Sequence, residues 1–197
     1  MRLLVTTGEK WGASNLTKDQ GDASRNHIMF GTISAFFWKH LGGIAPAAAG
    51  WTKVRIAPQF GELCEVVETA IVPSVGSGAS RVLSTAEATL STVAGDVHTH
   101  WELQDRDVPN ANPTAVLTVT VPAGAVDGAE VVMPCVGREA VITEALSGSV
   151  VWQAGSFVAL AEEEEEEERV VLSGERAEHG SVLLRVPSGE YRFVRAG

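Results

Sequence analysis

The chain has 197 residues, 45% of them hydrophobic, and a net charge of −10, so it can form one or two domains with a packed core. That charge argues against unaided binding to nucleic acid or to an anionic membrane surface, because both require clustered Lys and Arg. Residues 162–168 are all glutamate, and without them the net charge would be about −3. We interpret this run as a solvated loop, because its like charges repel one another.

The first predicted element is a helix of about four turns. Ser24 or Asn26 can cap its start, and Gly42 and Gly43 end it. Its apolar positions follow helical spacing: Ile28, Ile33, Phe36, Phe37 and Leu41. Residues 45–50 are rich in alanine and contain a proline, so we interpret them as a linker.

From Trp51 onward, short runs rich in Val, Thr and Ile alternate with Gly, Pro, Asn and Asp, which predicts strands and turns. The predicted strands are residues 54–56, 64–72, 96–103, 115–121, 130–136, 140–143, 149–152, 157–161, 169–172, 181–186 and 191–195. In residues 96–103, Val97, Thr99, Trp101 and Leu103 share one face of the strand. The sequence therefore predicts a mainly β fold, with a helical segment over residues 1–45 and an antiparallel β-sandwich over residues 51–197.

The two cysteines, Cys64 and Cys135, are too few to form a disulfide scaffold, and we interpret them as buried thiols. No apolar run reaches the ~20 residues that span a bilayer. The apolar start of the chain is cut short by Thr6, Thr7, Gly8 and Glu9, before a signal-peptide core could form. We therefore expect a soluble, cytoplasmic protein without a signal peptide or membrane span.

His98 and His100 lie on one face of a predicted strand, a spacing that could contribute two ligands to zinc. The spacing of the remaining Cys, Asp and His residues identifies no third ligand. The sequence therefore predicts no metal site, and it indicates no cofactor.

Four ordered blocks in the first sixty residues carry a resemblance to a known family. They are Thr6-Thr7-x-Glu9-Lys10-Trp11, then Ser24-Arg25-Asn26-His27-x-Met29-Phe30-Gly31, then Trp38-x-x-Leu41-Gly42-Gly43-Ile44, then Gly50-Trp51 with Val54 and Ile56-Ala57-Pro58-Gln59. This succession resembles the C-terminal portion of bacterial-type α-L-rhamnosidases. The resemblance implies the end of an (α/α)6 catalytic barrel followed by a β-sandwich.

The resemblance also implies roles for individual residues. The family consists of inverting glycoside hydrolases, which use one carboxylic acid and one carboxylate on opposite sides of the scissile bond. Glu9 falls at the position of the general base, and His27 at that of a histidine contacting rhamnose, with Trp11 and Trp38 as nearby wall or packing residues. Judged from the residues alone, Glu9 could equally be a solvated loop acid and His27 a helix-capping residue.

In full family members the general acid belongs to a part of the catalytic domain that precedes this segment, so we expect no independent turnover from these 197 residues. Three functions stay open. The chain could be the C-terminal portion of a rhamnosidase, with L-rhamnose or a rhamnoside as its ligand. It could be a non-catalytic carbohydrate-binding sandwich, or an interaction module that self-associates or docks a protein through its N-terminal helix.

Overall fold

The computed structural model describes residues 33–59, 83–104, 114–134, 137, 139–158, 171–177 and 180–196. The chain divides into two units, Met1–Phe37 and Trp38–Gly197. Of the first unit, the described part is residues 33–37. The fold that follows is that of the second unit.

The described helical segment ends where the sequence predicted. A single α-helical turn, α1 (Ile33–Phe36), passes into a π-helical turn (Phe37–Leu41), and Gly42 and Gly43 follow it. The start of the predicted helix lies outside the described residues. Within the described part of the chain, no helix is long and apolar enough to cross a bilayer.

Twelve described strands form two sheets. They are β1 (Ile44–Pro46), β2 (Val54–Ile56), β3 (Thr85–Thr92), β4 (Gly95–Gln104), β5 (Thr114–Val121), β6 (Ala129–Met133), β7 (Val141–Glu144), β8 (Ser149–Gln153), β9 (Ser156–Phe157), β10 (Ser173–Arg176), β11 (Val182–Val186) and β12 (Gly189–Ala196). The smaller sheet has the order β1-β2-β6-β11-β10, and the larger β3-β4-β5-β12-β7-β8-β9. Neighbouring strands are antiparallel in both sheets except for the parallel pair β2 and β6.

This architecture confirms the predicted mainly β sandwich with a short helical segment. Strands β2, β4, β5, β7, β8, β11 and β12 coincide with predicted strands to within two residues at each end, and β6 begins one residue before its predicted start and ends three residues before its predicted end. Three strands were not predicted: β3, β10, and β1, which includes the first two residues of the expected linker. Of the strand expected over 169–172, the described residues 171–172 lie just before β10 and outside any strand, and the strand expected over 64–72 lies outside the described residues.

One hydrophobic core joins the two sheets. On β4, Val97, Thr99 and Trp101 are fully buried while the residues between them are partly exposed, which confirms the predicted alternation. Their neighbours in the core come from both sheets, including Ile44, Ile56, Met133 and Leu184 from the smaller and Leu117, Ile142 and Phe193 from the larger. The core therefore lies between the sheets and is closed on one side by the segment that enters β1.

Candidate functional site

Of the four predicted site residues, the structure describes Trp38. Glu9, Trp11 and His27 lie outside the described residues, so their roles stay predictions. Cys64, Cys135 and the glutamate run at 162–168 also lie outside them. The site is therefore built from the residues around Trp38 and from the polar groups buried in the sandwich.

Two side chains from the buried face of β4 hold the end of the π-helical turn. Thr99 donates from Oγ1 to the carbonyl oxygen of Gly42 at 2.8 Å, and Trp101 donates from Nε1 to the carbonyl oxygen of Leu41 at 2.7 Å. Both donors are fully buried. The last carbonyls of a helix lack partners within the helix, so these two side chains take the place of a C-terminal cap.

Backbone groups of the segment after β2 complete this attachment. The N–H of Gln59 donates to the carbonyl of His40 at 2.9 Å, and the N–H of Ala57 donates to the carbonyl of Gly43 at 2.8 Å. We call these contacts, together with those of Thr99 and Trp101, the helix-end anchor. The anchor joins residues 40–43 to two separate parts of the sandwich.

The two glycines of the anchor are required by close approach of backbone to neighbouring residues. Gly43 has a φ of +71°, and a Cβ there would lie 2.1 Å from the backbone nitrogen of Pro58. A Cβ at Gly42 would lie 2.6 Å from the Cβ of Ala88. Any larger residue at either position would push the segment off the sandwich.

Trp38 lies beside the anchor with its side chain 37% exposed. Its Nε1 donates to the backbone carbonyl of Thr89 in β3 at 3.2 Å. The preceding Phe36 and Phe37 are 48% and 51% exposed and contact each other edge to face, with their centroids 6.0 Å apart. Three consecutive aromatic residues, 36–38, are thus partly exposed among the described residues.

The outer face of β3 and β4 carries the predicted histidine pair. A hydrogen bond of 3.0 Å links His98 Nδ1 to Thr89 Oγ1, and one of 3.2 Å links His100 Nε2 to Thr85 Oγ1. Glu87 Oε1 lies 3.8 Å from His98 Nε2. Within the described ranges, no three His, Cys, Asp or Glu side chains are grouped closely enough to hold a metal ion.

A buried carboxylate that the sequence did not single out lies at the end of β7. Glu144 is 1% exposed and accepts backbone N–H bonds from Arg192 and Leu146 at Oε1, at 2.9 and 3.1 Å, and from Ser147 at Oε2, at 2.7 Å. Burial raises the pKa of this carboxyl, but the hydrogen bonds from Arg192, Ser147 and Leu146 outweigh burial and hold the pKa below its ordinary value of 4.5. In the sequence, Glu144 lies three residues before the pair Ser147 and Gly148, at the start of the turn between β7 and β8.

Tyr191 and Arg195 are further buried polar residues of β12, 4% and 3% exposed. The Tyr191 hydroxyl donates to the carbonyl of Pro187, four residues upstream, at 3.0 Å, a contact similar to the tyrosine corner of other β-sandwiches. Burial and, to a smaller extent, the charge of Glu144 raise the pKa of Tyr191 to about 12. Burial lowers the pKa of Arg195. The bond of Tyr191 links β12 to the residues just before it, and no described residue near these two side chains suggests chemistry.

Comparison with protein families gives this arrangement its context. Residues 43–145, just over half of the chain, match the model of the bacterial alpha-L-rhamnosidase C-terminal domain. The chain belongs to this family. The match begins at Gly43 in the helix-end anchor and extends through β7 to the residue after Glu144.

Two curated alpha-L-rhamnosidases are similar to this C-terminal domain. The enzyme of an Alteromonas species is 29% identical over 102 residues, which cover 50% of this chain and 9% of the enzyme. The enzyme of Formosa agariphila is 31% identical over 99 residues, which cover 50% of this chain and 8% of the enzyme. The matched region is thus less than a tenth of the length of either relative.

Solved rhamnosidase structures are similar in fold to this chain and align with at least 90% of its length. The alpha-L-rhamnosidase of Dictyoglumus thermophilum has a TM-score of 0.57 at 20% identity, covering 90% of this chain and 15% of that one. The Streptomyces avermitilis alpha-L-rhamnosidase, solved in complex with L-rhamnose, has a TM-score of 0.55 at 25% identity, covering 96% of this chain and 13% of that one. The rhamnosidase resemblance of the sequence is therefore confirmed.

Proposed function

We propose that this chain is the C-terminal portion of a glycoside hydrolase that acts on α-L-rhamnosides, and that it has no turnover by itself. The observation that carries the proposal is the helix-end anchor. Thr99 and Trp101, which lie within the region matched by the rhamnosidase family, use buried donors to fix the backbone of Gly42 and Leu41, which directly precede that region. A sandwich that fixes the residues before it in this way is suited to support a neighbouring catalytic segment.

The proposed site residues follow from the resemblance. Glu9 is the candidate general base, and His27 and Trp11 are candidate sugar contacts. Trp38 could contact sugar through its ring, because its N–H group is bonded to Thr89 while part of its side chain is exposed. L-rhamnose is the proposed ligand, since a structural relative at 25% identity binds it.

The absence of independent turnover follows from the chemistry of inversion. An inverting hydrolase needs an acid to protonate the leaving oxygen and a base to activate water, on two carboxyl groups about 6.5–9.5 Å apart. The resemblance supplies one candidate, Glu9. We expect the purified chain to release no nitrophenol from p-nitrophenyl α-L-rhamnopyranoside above a blank without protein. If the purified chain releases nitrophenol and the Glu9→Gln variant does not, this part of the proposal is wrong.

Ligand binding is tested separately by following the protein NMR spectrum during titration with L-rhamnose. We expect saturable shifts at concentrations up to tens of millimolar, where even millimolar affinity is detected. Glu9→Ala and His27→Ala should each abolish these shifts, and D-rhamnose, the mirror image, should produce none. If L-rhamnose causes no shifts in the unchanged protein, the proposal that this chain binds the sugar is wrong.

Docking of a partner protein is the second candidate function, and the exposed pair Phe36 and Phe37 favours it. Exposed aromatic rings are common in protein interfaces. The double variant Phe36→Ser, Phe37→Ser should leave the thermal unfolding of the sandwich unchanged and should weaken binding of a partner protein. The non-catalytic carbohydrate-binding function has weaker support, because Trp38 is the only exposed aromatic residue among the described residues of the second unit.

A further inference from the structure

Strand β3 is an outer strand of the larger sheet, and among the described residues it pairs with β4 alone. It is eight residues long, and its sequence, TAEATLST, has no lysine, arginine or proline. Those residues are the usual means by which an edge strand avoids pairing with another molecule. Apart from the charge of Glu87, the sequence of β3 supplies none of these protections.

The register shows which backbone groups β3 presents at the edge that faces away from β4. The N–H of Leu103 donates to the carbonyl of Ser84 at 2.8 Å, and the pairing continues without a shift from Thr85 opposite Glu102 to Thr92 opposite Gly95. In an antiparallel pair, alternate residues direct both backbone groups to the partner strand. The backbone N–H and C=O groups of the even-numbered residues of β3 are therefore directed at β4. Thr85, Glu87, Thr89 and Ser91 direct their N–H and C=O groups outward.

Trp38 occupies the centre of this outward row. Its indole N–H donates to the carbonyl of Thr89, one of the outward groups. The backbone behind the indole is held against β3, because Gly42 approaches Ala88 so closely that a Cβ would lie 2.6 Å from the alanine Cβ. Trp38 is therefore fixed at the middle of the strand by the same helix-end anchor.

We propose that Trp38 prevents the β3 edge from pairing with the β3 edge of a second copy of this chain. Antiparallel pairing about a two-fold axis can place Glu87 opposite Thr89 of the second copy, and Thr85 opposite Ser91. In that register the single charged residue of the strand, Glu87, lies directly opposite a threonine and not opposite the Glu87 of the second copy. The indole N–H of Trp38 is hydrogen-bonded to the carbonyl oxygen of Thr89, which such pairing requires as an acceptor. The indole ring fills the space that the second strand would enter.

The test compares the sedimentation of the full chain with that of its variants across a concentration series. Trp38→Ala should lower the dissociation constant for self-association by at least about tenfold relative to the unchanged protein. Trp38→Phe keeps a ring but removes the N–H donor, and it should give a smaller change in the same direction. This second variant keeps the test decisive if Trp38→Ala does not fold.

A proline at the edge provides the matched control. The N–H of Thr89 points outward, so Thr89→Pro removes no bond of the β3–β4 ladder but blocks an incoming strand. The double variant Trp38→Ala, Thr89→Pro should sediment like the unchanged protein, with an unchanged circular dichroism spectrum. The proposal is overturned if folded Trp38→Ala and Trp38→Phe variants do not self-associate, or if the double variant associates as strongly as Trp38→Ala.

Discussion

Thr99 Oγ1 donates a hydrogen bond of 2.8 Å to the carbonyl oxygen of Gly42, linking the interior of β4 to the residue that follows the helical segment. The threonine is fully buried, so water cannot replace the bond if the hydroxyl is removed. The side chain thus has a structural role that its β-branched shape alone would not supply.

Thr99→Val keeps the shape of the side chain and removes the donor. We expect the free energy of unfolding to fall by about 1–3 kcal/mol, because the carbonyl of Gly42 loses a buried partner. Urea denaturation followed by tryptophan fluorescence measures the change. Thr120→Val on neighbouring β5 is the control, since Thr120 is only partly buried and should cost much less. Equal losses from both variants would contradict the role assigned to Thr99.

Gly43→Ala tests the close approach to Pro58. The new Cβ would overlap the backbone nitrogen of Pro58, and alanine also disfavours a φ of +71°. Gly50→Ala is a matched control, because Gly50 has a φ of +65° with no atom within 4 Å of the added Cβ. We expect Gly43→Ala to lower the free energy of unfolding by at least about 2 kcal/mol more than Gly50→Ala does. Similar losses would mean that backbone conformation, not contact, makes Gly43 necessary.

Glu144 should make the stability of the sandwich depend on acidity. Its folded-state pKa lies below the ordinary value of 4.5, so its contribution is fully present above pH 4.5 and is lost as the pH falls through the folded-state pKa. Glu144→Gln should lower the free energy of unfolding at neutral pH by about 1–3 kcal/mol, because the charge-assisted bonds to Arg192, Ser147 and Leu146 are weakened. The free energy of unfolding, obtained from denaturation curves at a series of pH values, should also fall less steeply with decreasing pH for the variant than for the unchanged protein. An identical slope would refute this assignment.

Tyr191 is the single tyrosine of the chain, so absorbance of tyrosinate reports its ionisation alone. The titration midpoint of the folded protein should lie near pH 12, against about 10 after unfolding. Because the folded-state pKa is raised, the associated stability is fully present below pH 10 and is lost as the pH rises towards 12, up to roughly 2–3 kcal/mol. Glu144→Gln should lower the midpoint by removing a nearby negative charge. A folded-state midpoint near 10 would show that the phenol is accessible.

The sequence predicted those elements whose residues alternate clearly between apolar and polar character. Val97, Thr99 and Trp101 marked one face of β4, and the structure buries that face. In β3 the corresponding inward residues include Ala86 and Ala88, which are too small to mark a hydrophobic face. The strand exists because it pairs with β4 and lies against Gly42, and such tertiary contacts have no local sequence signal.

The polar residues that matter most to the described fold were the hardest to predict. A glutamate is ordinarily solvated, so Glu144 gave no indication that three backbone N–H groups converge on it. Gly42 and Gly43 were correctly predicted to end a helix, but Pro58 and Ala88, which make glycine necessary, are distant in sequence. Trp38 was predicted to be a wall or packing residue, whereas its bond to Thr89 depends on which backbone groups β3 directs outward.

The position of β12 determines the order in which the larger sheet can be completed during synthesis. This strand, Gly189–Ala196, lies between β5 and β7, although its residues are translated after both. Until the ribosome releases β12, the β3-β4-β5 meander and the β7-β8-β9 meander have unpaired edges, and Leu117 and Ile142 lack Phe193 as a neighbour in the core. A nascent chain stalled before residue 189 would therefore be a target for chaperones and proteases.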